Sequence, residues 1–296
     1  MRRDAFSSVH PAVELAFFLA VTLVTAFVLH PVITGISLVS AFIYSVWLKG
    51  KKALRFNAFF VLPVLLAAAI LNPVFNHEGT TVLFYFKNGN AVTLEAVLYG
   101  VNSGCMFAAL IMWFSCLDRV MSADKYTYLF GGAIPALSLV FSMVLRFVPG
   151  FMRRIKEVSE AQRSLAPEPG KGPVKAAKHG LSVLSLTTTW ALEKAVTVSD
   201  SMRSRGYGTG RRTSFRLYRF DTRDLVLTLL LVLCFVPSVY AMATKHIRFR
   251  FYPSIKSSGP DAIFYLGCAA FLTLCSLPIL LEIKEAVEWR ILRSRL

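Results

Sequence analysis

Six runs of 17–24 residues hold almost no charge between their ends, and they limit what this chain can fold into more than any other feature. They are about Val13–Leu29, Pro31–Leu48, Phe56–Phe75, Leu94–Leu117, Leu225–Ala243 and Ala262–Leu281. A helix rises about 1.5 Å per residue and a bilayer's hydrocarbon core is about 30 Å thick, so each run is long enough to cross it. With 55% of its 296 residues hydrophobic and 17% charged, the chain lies outside the range of ordinary soluble domains. The expectation is an all-α integral membrane protein with about six transmembrane helices. Only His30-Pro31 separates the first two runs, and proline is favoured where a helix begins, so they form a tight antiparallel pair. Met1-Arg2-Arg3-Asp4 precedes no small-residue cleavage site, and the first run reads as a span, not a removed signal.

The net charge of +16 fits a nucleic-acid binder or a protein facing anionic lipid headgroups, and the placement of the bases decides between them. Lys and Arg crowd the segments between apolar runs, as membrane orientation requires, so no nucleic-acid partner is expected. With six spans and the N-terminus inside, 28 bases lie inside and five outside. Making the apolar stretch Leu129–Val148 a seventh span reverses the balance to 12 against 20 and buries Arg146, so six spans are kept. Both termini are then cytoplasmic and the protein is a multi-pass component of the plasma membrane. The five cysteines sit in or at the ends of apolar runs without a Cys-x-x-Cys pair and read as packing residues, with no metal or cofactor implied. In the outer segment 76–93, Thr81–Lys87 and Ala91–Leu94 flank Asn88-Gly89-Asn90, the pattern of a short β-hairpin.

The span pattern divides the chain into spans one to four (1–118), a cytoplasmic helical region (119–223) and spans five and six with a basic tail (224–296). The middle region is too long for a simple connector. Met152, Ile155, Val158 and Leu165 recur at helical spacing, so 151–165 reads as an amphipathic helix. Pro167–Pro173, with three prolines and two glycines, reads as a loop. From Val174 a second helix of about thirty residues carries a stripe of Val174, Ala177, Leu181, Leu184, Thr188, Ala191, Ala195, Val198 and Met202. Its other face holds Lys175, Lys178, His179, Glu193, Lys194 and Asp200, too polar for lipid on every side.

That rod ends in Asp200-Ser-Met-Arg203-Ser204-Arg205-Gly206-Tyr207-Gly208-Thr-Gly210-Arg211-Arg212-Thr213. Glycine 206 or 208 can cap the helix, and basic side chains suit its negative dipole end. Four arginines in ten residues exceed what capping needs, and an acidic partner is the natural complement.

This end resembles the second signature of the energy-coupling factor (ECF) transporter T component, the family that includes cobalt-transport permeases. The signature centres on a small residue, Arg and Gly, here Ser204-Arg205-Gly206. Upstream, Asp124-Lys125, Ile134-Pro135-Ala136-Leu137-Ser138, Leu145-Arg146-Phe147-Val148-Pro149 and Glu160-Ala161-Gln162-Arg163 resemble the run leading to the first signature. Where that family carries Ala-Arg-Gly soon after Ala-Gln, this chain reads Arg163-Ser164-Leu165-Ala166, so the signature arginine is either displaced to Arg163 or absent.

The resemblance implies a complex with two ABC-type ATPase subunits and a small membrane subunit that binds a vitamin or metal ion. The chain itself would relay motion as a non-catalytic subunit, with Arg203, Ser204, Arg205, Gly206 and Arg163 as its contacts to the ATPases. Consistent with that role, no Gly-x-x-x-x-Gly-Lys-Ser/Thr loop occurs. A membrane enzyme is disfavoured because the five histidines are scattered. A stand-alone permease or cation channel is the stronger rival, although its spans should carry charged residues along a pathway. Gly100, Gly104, Ala108 and Ala109 in the fourth run permit close helix contact, whether for sliding or for internal packing.

Overall fold

A computed structural model describes residues 6–85, 91–133, 135–165, 173–210, 218–244, 247, 249–257 and 261–294. In chain order the elements are α1 (Pro11–Phe27), α2 (Pro31–Lys49), α3 (Lys51–Phe56), a π-turn (Asn57–Val61), α4 (Leu62–Phe75), β1 (Val82–Tyr85), β2 (Ala91–Thr93) and α5 (Leu94–Val120). There follow α6 (Ala123–Ala133), α7 (Pro135–Leu165), α8 (Pro173–Ser204), α9 (Thr222–Ala243), the two-residue strands β3 (Phe249–Arg250) and β4 (Lys256–Ser257), and α10 (Ala262–Ser294). The protein is an all-α membrane protein. Five helices are long and apolar enough to cross a bilayer: Pro31–Lys49, Lys51–Phe75, Leu94–Val120, Thr222–Ala243 and Ala262–Arg293. Pro11–Phe27 is a sixth apolar helix, shorter at 17 residues.

The chain divides into two compact units, one of residues 1–122 and 218–296, the other of 123–217. In the first, α1 and α2 begin alike. His10 and His30 are the N-cap residues, each Nδ1 accepting a backbone N–H two residues on, and Pro11 and Pro31 open the helices without a wasted donor. The core of this unit is aromatic. Phe17 and Phe18 of α1 meet the ring of Trp113 on α5 edge-on, and Tyr44 of α2 lies 6.1 Å from it. Trp113 donates to Ser37 Oγ at 3.0 Å and Ser37 shares a 2.8 Å hydrogen bond with Thr25, so three helices join through one buried polar chain.

The third apolar run is continuous as a helix but widens at Asn57–Val61, where the Leu62 N–H reaches back to Asn57 O. Pro63 has no N–H for the carbonyl four residues earlier, and its ring would press on that carbonyl; an extra residue in the turn relieves both. Gly100 and Gly104 of α5 face α4. A Cβ at Gly104 would lie 2.7 Å from Leu65 O, and one at Gly100 3.0 Å from Ala69 O. Of the two uses open to this small-residue face, packing against the chain's own α4 is the one observed.

The hairpin expected in 76–93 forms, with β1 antiparallel to β2; its turn, Asn88-Gly89-Asn90, lies outside the described residues. Glu95, buried in the first turn of α5, clasps the chain entering β1. Its carboxylate accepts hydrogen bonds from the backbone N–H and hydroxyl of both Thr80 and Thr81. Thr93 Oγ1 donates to Glu78 O at 2.8 Å and ties the other side.

In the second unit the apolar stretch 129–148 is divided between α6 and α7. Ser138 Oγ of α7 donates to Thr127 O of α6 at 3.2 Å. The amphipathic helix read at 151–165 is the C-terminal half of α7, which continues through Pro149 from Pro135. The loop read at 167–173 lies, except for Pro173, outside the described residues, and Pro173 opens α8.

Candidate coupling site

The helices α7 and α8 run antiparallel. Phe151 meets Trp190 edge-on at 5.4 Å, Ser159 Oγ lies 3.2 Å from His179 Nε2, and Gln162 Nε2 donates to Ser182 Oγ at 2.7 Å. The Arg154 guanidinium lies 5.7 Å from the Trp190 ring, a cation–π contact that holds the middle of the pair. Among the described residues of α8, those that become buried are Val183 and Thr187. The first half of the stripe is open, with Val174 79%, Leu181 67% and Leu184 60% exposed. Periodicity located the face, but only its second half meets α7: Ala191, Ala195, Val198 and Met202 line a groove against that helix, and the first half is left as surface.

The end of α8 is closed by a hydrogen-bonded cap. Gly206 N–H donates to Arg203 O at 2.9 Å and Tyr207 N–H to Met202 O at 3.0 Å, with Gly206 at φ +80°. These two bonds make a Schellman motif, which needs a residue free to adopt positive φ at the position after the cap; of the two candidate glycines, Gly206 fills it. Thr209 adds a hydroxyl bond to Gly206 O at 2.7 Å, and Ser204 Oγ donates to Ser201 O at 2.9 Å. The chain therefore turns sharply just after Arg205. Arg203, Ser204, Arg205 and Gly206 are exposed together there, and Arg205 makes no ion pair among the described residues. Arg211 and Arg212 lie outside the described residues.

Arg163 is not part of this cluster. It is exposed in the last turn of α7, level with the early part of α8 where Gln162 meets Ser182. Some 23 residues of α8 separate that level from Arg205, about 35 Å at 1.5 Å per residue. The five residues thus form two exposed basic sites, one toward each end of a single helical hairpin.

The sequence reading missed a groove of about 560 Å³ between α7 and the C-terminal half of α8. Phe147, Phe151, Trp190, Val198 and Met202 line it, with Arg146, Lys194 and Arg203 among its walls. Its two sides are some fifty residues apart in sequence, and only their antiparallel pairing brings them together.

No family model matches the chain. Among curated proteins it is similar to three named energy-coupling factor transporter transmembrane protein EcfT. It is 34% identical to that of Lactobacillus helveticus over 95 residues, 31% of this chain and 34% of the relative. With that of Leuconostoc gelidum subsp. gasicomitatum it shares 30% identity over 98 residues, 32% of this chain and 37% of the relative. With that of Exiguobacterium sibiricum the identity is 31% over 98 residues, with the same two coverages. The chain spans about a third of the length of the curated relatives it matches. Over that third, this multi-helix membrane protein is a relative of the transmembrane T components of energy-coupling factor transporters.

Proposed function

We propose that the chain is the coupling subunit of an ECF-type importer. In this reading it spans the plasma membrane with both termini in the cytoplasm, catalyses nothing itself, and relays movement from two ABC-type ATPases to a small membrane subunit that binds a vitamin or metal ion. The observation that carries the reading is the capped end of α8. A guanidinium at the tip of a 32-residue helix, held by two backbone hydrogen bonds behind it and unpaired among the described residues, is a preorganised donor for a carboxylate groove. Arg163, about 35 Å away along the hairpin, supplies a second basic contact, in keeping with two ATPases. The open first half of the stripe on α8 offers a further face to a partner.

Arg205→Glu tests the reading. Losing one side of a desolvated charge pair costs about 2–5 kcal/mol, and reversing it costs more, so ATPase co-purification and uptake should both fail. Substrate binding by the separate membrane subunit should persist. Wild-type co-purification and uptake in a folded Arg205→Glu protein would refute the docking role.

A further inference from the structure

The helix α7 changes character partway along. Its first eleven residues, Pro135–Leu145, carry no Asp, Glu, Lys or Arg, whereas Arg146 and six further charged residues follow before Leu165. The uncharged part is also surface, with Val140, Phe141 and Val144 each 43–54% exposed. Apolar surface of this kind is more stable against acyl chains than against water, and charge begins at Arg146.

The groove between α7 and α8 lies at that switch. Pro149 removes the N–H that Leu145 O would otherwise bind, and Gly150 leaves the α7 wall without a side chain, so the two helices enclose a space there. The floor is aromatic and aliphatic. Around it stand Arg146 from one helix and Lys194 and Arg203 from the other, none with an ion pair among the described residues. An apolar trough ringed by three uncompensated cations complements an amphiphile with an anionic head.

We propose that this groove binds an anionic phospholipid, with its phosphate among Arg146, Lys194 and Arg203 and an acyl chain against Phe147, Trp190 and Met202. A zwitterionic lipid brings its own cation to the same place and binds more weakly. The proposal rests on this chain's residues alone and stands whether or not the coupling role does.

The test uses the full chain purified in detergent, titrated with dioleoylphosphatidylglycerol or dioleoylphosphatidylcholine and read by native mass spectrometry. The wild-type protein should retain phosphatidylglycerol preferentially. One basic residue near a headgroup contributes about fivefold in affinity, so Arg146→Gln with Lys194→Gln should weaken phosphatidylglycerol binding about twenty-fivefold and leave phosphatidylcholine unchanged. Gly150→Leu fills the trough without altering any charge, because a Cβ there meets no atom within 4 Å, and it should abolish the preference. Ala191→Leu does the same from the facing helix and decides the matter if the first filler misfolds. In cells, a photo-crosslinking residue at position 147 should capture phospholipid. Equal retention of the two lipids by the wild type, a preserved preference in a folded filler variant, or a polypeptide as the main crosslinked product would each overturn the proposal.

Discussion

Gly104→Ala puts the packing of α4 on α5 to a direct test. The added Cβ would sit 2.7 Å from Leu65 O and 3.4 Å from Ala68 Cβ. Ordinary carbon–oxygen contact is about 3.3–3.6 Å, so the helices must part by roughly 0.6–0.9 Å, and the obstacle is backbone that no rotamer change can move. A gap of that size forfeits a quarter to a half of the dispersion well at neighbouring contacts, including Gly100 against Ala69 O and the 2.7 Å bond from Asn72 Nδ2 to Ala96 O. Overpacking of this kind costs about 3 kcal/mol at the upper end, and better helix propensity returns about 1, leaving a loss of about 2 kcal/mol. At about 2–4 °C per kcal/mol, the unfolding temperature should fall by about 4–8 °C. Gly35 is the control: a Cβ there meets nothing within 4 Å, so Gly35→Ala should unfold at or slightly above the wild-type temperature. A thiol-reactive dye suits the measurement, since Cys116, Cys234, Cys268 and Cys275 are buried and become reactive when the bundle opens. Equal unfolding temperatures for the two variants would show that α4 and α5 are not in the close contact described.

Three further outcomes follow. Gly206→Ala forces an alanine to φ +80° at a cost of about 1–2 kcal/mol, so hydrogen exchange over 200–207 should quicken about five- to thirtyfold, while Gly210→Ala, in open space, should leave it unchanged. Single cysteines placed at 82–85 should react with a membrane-impermeant reagent on intact cells, and those at 167–172 should not; the reverse pattern would invert the proposed orientation. Purified free of ABC ATPases, the chain should hydrolyse no ATP, because its sequence has no phosphate-binding loop.

What could be read from the sequence depended on how local the cause was. The apolar helices were legible because lipid permits few alternatives and each segment satisfies its own backbone. The hairpin of β1 and β2 was legible from alternation and a turn signal. The capped end of α8 was visible as a choice between Gly206 and Gly208, and backbone hydrogen bonding settled it on Gly206. The rest depends on pairing between distant segments. A stripe on α8 announces an apolar face without naming its partner, and among the described residues Val183 and Thr187, off that stripe, are those α8 buries. The separation of Arg163 from Arg205 follows from the antiparallel course of α7 and α8, which spacing along the chain does not encode. The π-turn had a local cause in Pro63, but its effect falls on residues before the proline, where periodicity looks undisturbed.

The clasp at Glu95 has a mechanical consequence. Thr80 and Thr81, reached from α4 through a short connector, are bonded to the first turn of α5, and Asn72 near the end of α4 is bonded to Ala96 O. Lower down, Gly104 rests against Leu65 O. Sliding α4 along α5 would break the upper bonds, and turning it about its axis would drive other side chains into a contact that only glycine admits. The two helices therefore have no independent degree of freedom and behave as one plate. On its outer side Phe59, Phe60, Ile70 and Leu71 present a continuous apolar wall. Whatever conformational work the protein performs in the bilayer, this plate moves as a whole, and a covalent bridge between α4 and α5 would leave that work undisturbed.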